Sequence, residues 1–160
     1  VIPLADAARK IEVAAASRRS KDFLIVARTD ARTAHGLDEA LRRAEAFAKA
    51  GADVLFLEAL ESEAEMERVG KAFDLPLLIN VVEGGRTPVL PAERMRALGF
   101  RLAIFPVTGL LAAAAALQAT YAALKASGSS ADLAQPLYPF ADFTKLMGFP
   151  RVWDFEKRWA

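Results

Sequence analysis

Three times along this chain an apolar run stops at a polar or charged residue. Leu24-Ile25-Val26-Ala27 ends at Arg28, with Thr29 and Asp30 behind it. Val54-Leu55-Phe56-Leu57 ends at Glu58, and Leu77-Leu78-Ile79 ends at Asn80. Runs this short are strands rather than helices, and runs this continuously apolar belong to a sheet buried on both faces. Fixed charges do not normally close a core strand unless they project into a solvent-filled mouth. The pattern therefore predicts a parallel sheet with a site at its carboxyl edge.

Between the strands the apolar positions recur with helical spacing. Pro3 to Ser17 reads as a helix with Leu4, Ala7, Ala8, Ile11, Ala14 and Ala15 on one face. Phe23 to Ala27 is the first strand, and Thr33 to Gly36 reads as a loop. Leu37 to Ala50 is a helix striped by Leu37, Ala40, Leu41, Ala44, Phe47 and Ala48, with Gly51 where a left-handed cap belongs. Val54 to Leu57 is the second strand. Ser62-Glu63-Ala64-Glu65 matches a capping box, in which hydroxyl and carboxylate satisfy each other's backbone donors, and it opens a helix to about Phe73. Pro76 to Asn80 is the third strand and Val81 to Val89 a loop containing Gly84-Gly85. Pro91 to Leu98 is a short helix followed by Gly99. Leu102 to Val107 reads as the fourth strand and Leu110 to Ala126 as an Ala-rich helix, taken as buried because its weakly apolar composition suits a core better than a membrane.

Strand starts at 24, 54, 77 and 102 are 30, 23 and 25 residues apart. A (β/α)8 barrel uses about 250 residues for eight units, so roughly 30 each. The 160 residues therefore hold about four βα units, a leading helix and a tail. An open sheet and half a barrel both satisfy this pattern. The tail, residues 131–160, packs Phe140, Phe143, Met147, Phe149, Trp153, Phe155 and Trp159 into a short stretch. Such density calls for burial, against the chain's own body or against a neighbouring subunit.

Composition narrows the function classes. Hydrophobic residues make up 54%, and 21 basic against 20 acidic residues leave a net charge of +1. That balance offers no electrostatic footprint for nucleic acid or an anionic membrane. With no cysteine, a disulfide scaffold and a Cys-ligated metal are excluded and a reducing compartment, the cytoplasm, is expected. The start lacks the features of a signal peptide. It also lacks methionine, as a fragment or a processed product would.

Arg28, Glu58 and Asn80 occupy the carboxyl edge of three successive strands. Arginine suits a carboxylate or phosphate through its two parallel donors. Glutamate can face a hard cation, directly or through water, and asparagine offers a donor and an acceptor. The plain alternative is an Arg28–Glu58 ion pair closing the sheet. Gly84-Gly85 matches no nucleotide-binding fingerprint and reads as a flexible loop, with a phosphate module as a weaker reading. His35, the only histidine, reads as solvent-exposed. Glu61, Glu63, Glu65 and Glu67 read as a solvated helix start.

Several of these stretches together resemble the isocitrate lyase/phosphoenolpyruvate mutase superfamily. They are Val26-Ala27-Arg28-Thr29-Asp30-Ala31; Ala50-Gly51-Ala52-Asp53 leading to Glu58-Ala59; and Asn80-Val81-Val82-Glu83-Gly84-Gly85 with Thr87-Pro88. Phe105-Pro106 before the Ala-rich helix and Leu146-Met147-Gly148-Phe149 before a tryptophan-bearing helix also fit. The resemblance implies a (β/α)8 TIM barrel of which residues 1–160 supply the second half. It implies Mg2+ and enolate chemistry on a small 2-hydroxy or 2-oxo diacid: carbon–carbon cleavage, decarboxylation or, in another branch, P–C bond rearrangement. Arg28 and Glu58 would be catalytic; Arg28, Glu58, Asn80, Val81 and Val82 would bind the small carboxylate substrate. The direct metal ligands would lie on earlier strands. Leu111 stands where methylisocitrate lyases carry a second substrate arginine, which favours a smaller substrate. The family exchanges its C-terminal helix between subunits, so a dimer or tetramer is expected. The alternative function is a non-catalytic, self-associating half-barrel.

Overall fold

The computed structural model describes residues 1–159. Its elements run α1 (Leu4–Ser17), β1 (Val26–Thr29), α2 (Ala31–His35), α3 (Leu37–Lys49), β2 (Val54–Leu57), α4 (Glu63–Ala72), β3 (Leu77–Asn80), α5 (Ala92–Ala97), β4 (Phe100–Ile104), α6 (Thr108–Ser127), α7 (Phe140–Leu146) and α8 (Phe149–Trp159). The four strands form one parallel sheet in chain order, β1-β2-β3-β4. Four consecutive βα units with no strand out of order are the local topology of a TIM barrel. The chain divides into two compact units, Val1–Leu110 and the residues from Leu111 onward.

In the first unit the sheet separates its side chains by parity. Ala27, Leu55, Leu57, Leu77 and Ile79 point to the helices and are buried with Ala40, Ala44 and Phe47 of α3, Met66 and Val69 of α4, and Met95 of α5. The opposite face carries Val26, Arg28, Phe56 and Leu102. Arg28 pairs in register with Phe56, and its guanidinium carbon lies 5.0 Å from the centre of that ring. On this face Phe56 is buried while Val26 and Leu102 are half-exposed. Gly51 and Gly99, with φ of 99° and 97°, end their helices in the left-handed region as expected.

Four expectations need correction. The first strand begins at Val26 rather than Phe23, because Phe23 and Leu24 are exposed and only Ile25 enters the core. The stretch 33–36 is not a loop throughout: α2 forms at Ala31–His35 once Thr29 Oγ1 accepts the Ala31 N–H at 3.2 Å. The fourth strand lies two residues early, at Phe100–Ile104, because Phe100 is the residue that reaches the core. The Ala-rich helix α6 has no buried residue. Its composition shows what the helix could bury and says nothing of what meets it. By length and composition alone it is long and apolar enough to cross a membrane.

In the second unit the tail forms α7 and α8. Its aromatics pair with one another: Tyr138 with Phe143 edge to face at 6.4 Å, Phe149 with Trp153 at 6.0 Å, and Phe155 with Trp159 at 6.4 Å. All of these rings remain exposed.

Candidate active site

The carboxyl edge of the sheet gathers the polar residues that the chain places 22 to 30 positions apart. Arg28 leaves the end of β1 on the face opposite the helices. Its guanidinium donates to Asp30 through Nε at 3.1 Å and Nη2 at 2.8 Å, and its Nη2 also lies 3.1 Å from Glu58 Oε2. Asp30 is therefore the stronger partner, and its hydrogen bond pushes Arg28 further into the charged form. The same bond holds the Asp30 carboxyl below the usual carboxylate range. The Arg28 side chain is still 48% exposed while Glu58 is 18% exposed, so the cation faces the opening and the carboxylate lies behind it.

Glu58 follows β2 directly, with its N–H held by the Thr29 carbonyl at 3.0 Å. The Asn80 amide donates to both Glu58 oxygens at 3.4 Å, a weak bifurcated contact. Asn80 Oδ1 is buried without a partner. A buried carbonyl oxygen without a donor is costly, which sets this acceptor apart from the other polar atoms of the edge. Ala59, next to Glu58, has φ of 62°, a left-handed conformation that costs a non-glycine residue about 1 kcal/mol. Strain of this kind gathers at sites where geometry matters more than local stability.

Val81 and Val82 continue β3 past Asn80. Val81 is fully buried with its N–H given to the Ile104 carbonyl at 2.9 Å, and the Val82 carbonyl receives the Gly85 N–H at 2.9 Å. Val81 therefore forms wall rather than a free donor. That Gly85 bond also takes one of the donors a phosphate cradle would use. Glu83 accepts the Thr108 hydroxyl at 2.6 Å, which ties this loop to the start of α6 and holds the Glu83 carboxyl below its usual range. His35 is exposed, as expected. Among the described residues no three carboxylate, imidazole or thiolate groups converge to hold a metal.

The acidic run at 61–67 is not simply solvated. Arg32 in α2 forms a forked pair with Glu65 at 3.1 and 2.7 Å and reaches Glu61 at 2.6 Å. This holds the Glu65 carboxyl below its usual range. Ser62 Oγ accepts the Glu65 N–H at 3.2 Å as the capping box requires, but the Glu65 carboxylate turns to the Glu61 N–H at 2.8 Å. Glu63 binds Arg94, and Glu67 binds Lys71. The motif reading missed Arg32 because no residue type or spacing marks it; only the neighbouring βα turn supplies its partners.

A family model described as phosphoenolpyruvate phosphomutase matches residues 1–125. The 2,3-dimethylmalate lyase of Eubacterium barkeri is 40% identical over 151 residues, covering 94% of this chain and 52% of that protein. A crystal structure of 2,3-dimethylmalate lyase superposes with a TM-score of 0.86 at 30% identity, covering 100% of this chain and 57% of that one. Phosphonopyruvate hydrolase, solved with oxalate and Mg++, gives a TM-score of 0.86 at 25% identity over 99% of this chain and 57% of that one. The chain thus spans about half the length of the proteins it matches.

Proposed function

This chain belongs to the phosphoenolpyruvate phosphomutase family, and from that premise we propose that it supplies one wall of the active site of a carbon–carbon lyase acting on a small 2-hydroxy or 2-oxo diacid. One observation carries the reading. A forked cation, a carboxylate and an amide with an unpartnered buried oxygen converge at the carboxyl edge of a parallel sheet. The similarity to a dimethylmalate lyase supports the reaction class.

Each residue has work that its position allows. Arg28 exchanges Asp30 for a substrate carboxylate and keeps two parallel N–H···O bonds in doing so. Phe56 beneath it fixes the plane of the fork. The Asn80 Oδ1 accepts a substrate hydroxyl, and Glu58 orients that hydroxyl from the other side. In cleavage of a 2-hydroxy diacid the hydroxyl proton passes to a base, for which Glu58 is placed, and the hydroxyl carbon becomes a carbonyl. The electron pair of the broken carbon–carbon bond spreads onto the carboxylate oxygens of the departing fragment as an enolate, where fixed positive charge lowers the barrier. Magnesium, when bound, adds to that stabilisation. The Glu58 carboxylate would accept from a metal's water shell with the lone pairs that Arg28 and Asn80 leave free. These residues do not make a direct ligand set.

Release of pyruvate from a panel of 2-hydroxy and 2-oxo diacids, with and without Mg2+, tests this in the barrel that contains these four units. Mg2+-dependent turnover of at least one diacid is expected. Turnover of phosphonopyruvate, assayed alongside by loss of its P–C bond, with none of the diacids turned over would move the assignment to P–C chemistry. No turnover across the panel would overturn the reading in favour of a non-catalytic half-barrel. We further propose that the protein acts in the cytoplasm as a homo-oligomer built through α7 and α8, whose exposed rings support such a contact. A monomer by light scattering would overturn that part.

A further inference from the structure

Arg32 takes part in no motif, yet it joins the two turns that carry the site. Its own turn begins at Arg28-Thr29-Asp30, where Ala31 is fully buried and its N–H is held by Thr29 Oγ1. Its partners Glu61 and Glu65 flank the start of α4, three and seven residues after Glu58. Between Glu58 and Glu61 the chain has little freedom. The Glu58 N–H is fixed to β1, Leu60 is 1% exposed, and the Glu61 N–H is fixed to Glu65. The left-handed Ala59 sits inside this short span. A strained residue persists only where its surroundings over-determine it. Arg32 supplies that constraint, because it grips the Glu61 side chain and the same Glu65 carboxylate that holds the Glu61 backbone.

We infer that Arg32 is a positioning residue: it clamps the strained Glu58–Glu61 turn and so sets the Glu58 carboxylate against Arg28. The inference rests on the reading that Glu58 belongs to the site. The planar fork is essential, since three simultaneous contacts to two carboxylates need its fixed geometry; lysine offers the charge without the fork.

The test combines Arg32→Lys with Ala59→Gly in the purified protein and needs no turnover. Glycine relieves left-handed strain by more than it adds freedom to the unfolded chain, so Ala59→Gly alone raises Tm by about 1–2 °C for a chain of this size. In the Arg32→Lys background the turn relaxes, and the same substitution gives less than half that rise. The carboxyl-carbon resonance of Glu58 and the Nε–H resonance of Arg28 both shift in Arg32→Lys, and the conservative charge does not restore them. Equal rises in both backgrounds, or both resonances unmoved, would overturn the clamp. If Arg32→Lys fails to fold, Arg32→Gln, which keeps a planar donor without the fork, takes its place in the cycle and the same two outcomes decide. Failure of the lyase reading would show in the pyruvate assay and leave these readouts unchanged.

Discussion

The two edges of one sheet are built on opposite principles. At the amino edge, polar groups are saturated. Asp53 accepts the Ile25 N–H at 2.7 Å and the Arg18 guanidinium at 2.5 Å, while its own N–H returns to the Ile25 carbonyl at 2.9 Å. Nearby, Gly70 and Gly99 let α4 touch the turn before β4 backbone to backbone. A Cβ on Gly70 would lie 1.8 Å from the Leu98 carbonyl oxygen. At the carboxyl edge, Arg28 is half exposed, Asn80 keeps an unpartnered oxygen and Ala59 is strained. One edge has closed its valences to hold the strands in register. The other leaves a half-exposed cation, an unpartnered acceptor and a strained residue, the features on which the proposed function rests. This division between stability and chemistry is the one that parallel α/β folds impose on their two ends.

Breaking the carboxyl edge should hit activity and spare the fold. Arg28→Met removes two charge-assisted hydrogen bonds to substrate at about 1.5–3 kcal/mol each, so kcat/KM in the complete barrel should fall by roughly 10²- to 10⁴-fold. Its Tm should stay near that of the parent, since the exposed pair contributes little to stability. A loss of Tm matching the loss of rate would erase the contrast between the edges.

Breaking the amino edge should do the reverse. Gly70→Ala forces backbone apart and should cost about 3 kcal/mol or more in chemical denaturation, the upper end of overpacking. Asp53→Ala strands the N–H of the buried Ile25 and should cost about 2 kcal/mol. Both proteins, where folded, should leave the Glu58 and Arg28 resonances in place. A stable Gly70→Ala protein would show that the close approach is not required.

The smallest effect sharpens the comparison through pH. The Ile25 N–H and then Arg18 hold the Asp53 carboxyl below its usual range. A depressed carboxylate contributes fully above its unfolded value of about 4, and that contribution is lost as pH falls through the folded value. Stability of the parent should therefore drop between pH 5 and pH 2. The drop should be shallower in Asp53→Ala. Equal slopes would mean that Asp53 contributes no linked stability.

The motif Ala50-Gly51-Ala52-Asp53 illustrates the limit of reading by motif alone. It belongs to the same family pattern as Arg28 and Glu58, yet Asp53 lies at the opposite edge and closes strand starts. The acidic run after Glu58 erred the other way: taken as solvated, it contains the two carboxylates that grip Arg32. Both cases turn on partners distant in sequence. A side chain's residue type states which bonds it can make, and only the neighbouring βα unit states which it does.

The alternation of short apolar runs with helical stripes was enough to specify four parallel βα units and the edge where polar residues collect, while the strand order β1-β2-β3-β4 came from the structure. Those features depend on local periodicity and on which residues close each strand, and both are written residue by residue. Tertiary structure decided the rest. It paired Arg28 with Asp30 more strongly than with Glu58, left Asn80 Oδ1 without a donor, turned the Glu65 carboxylate toward Glu61 and left α6 unburied. Each of those outcomes depends on which of several equivalent donors and acceptors arrives within about 3 Å, and that distance is set by packing between elements and not by the order of residues within one.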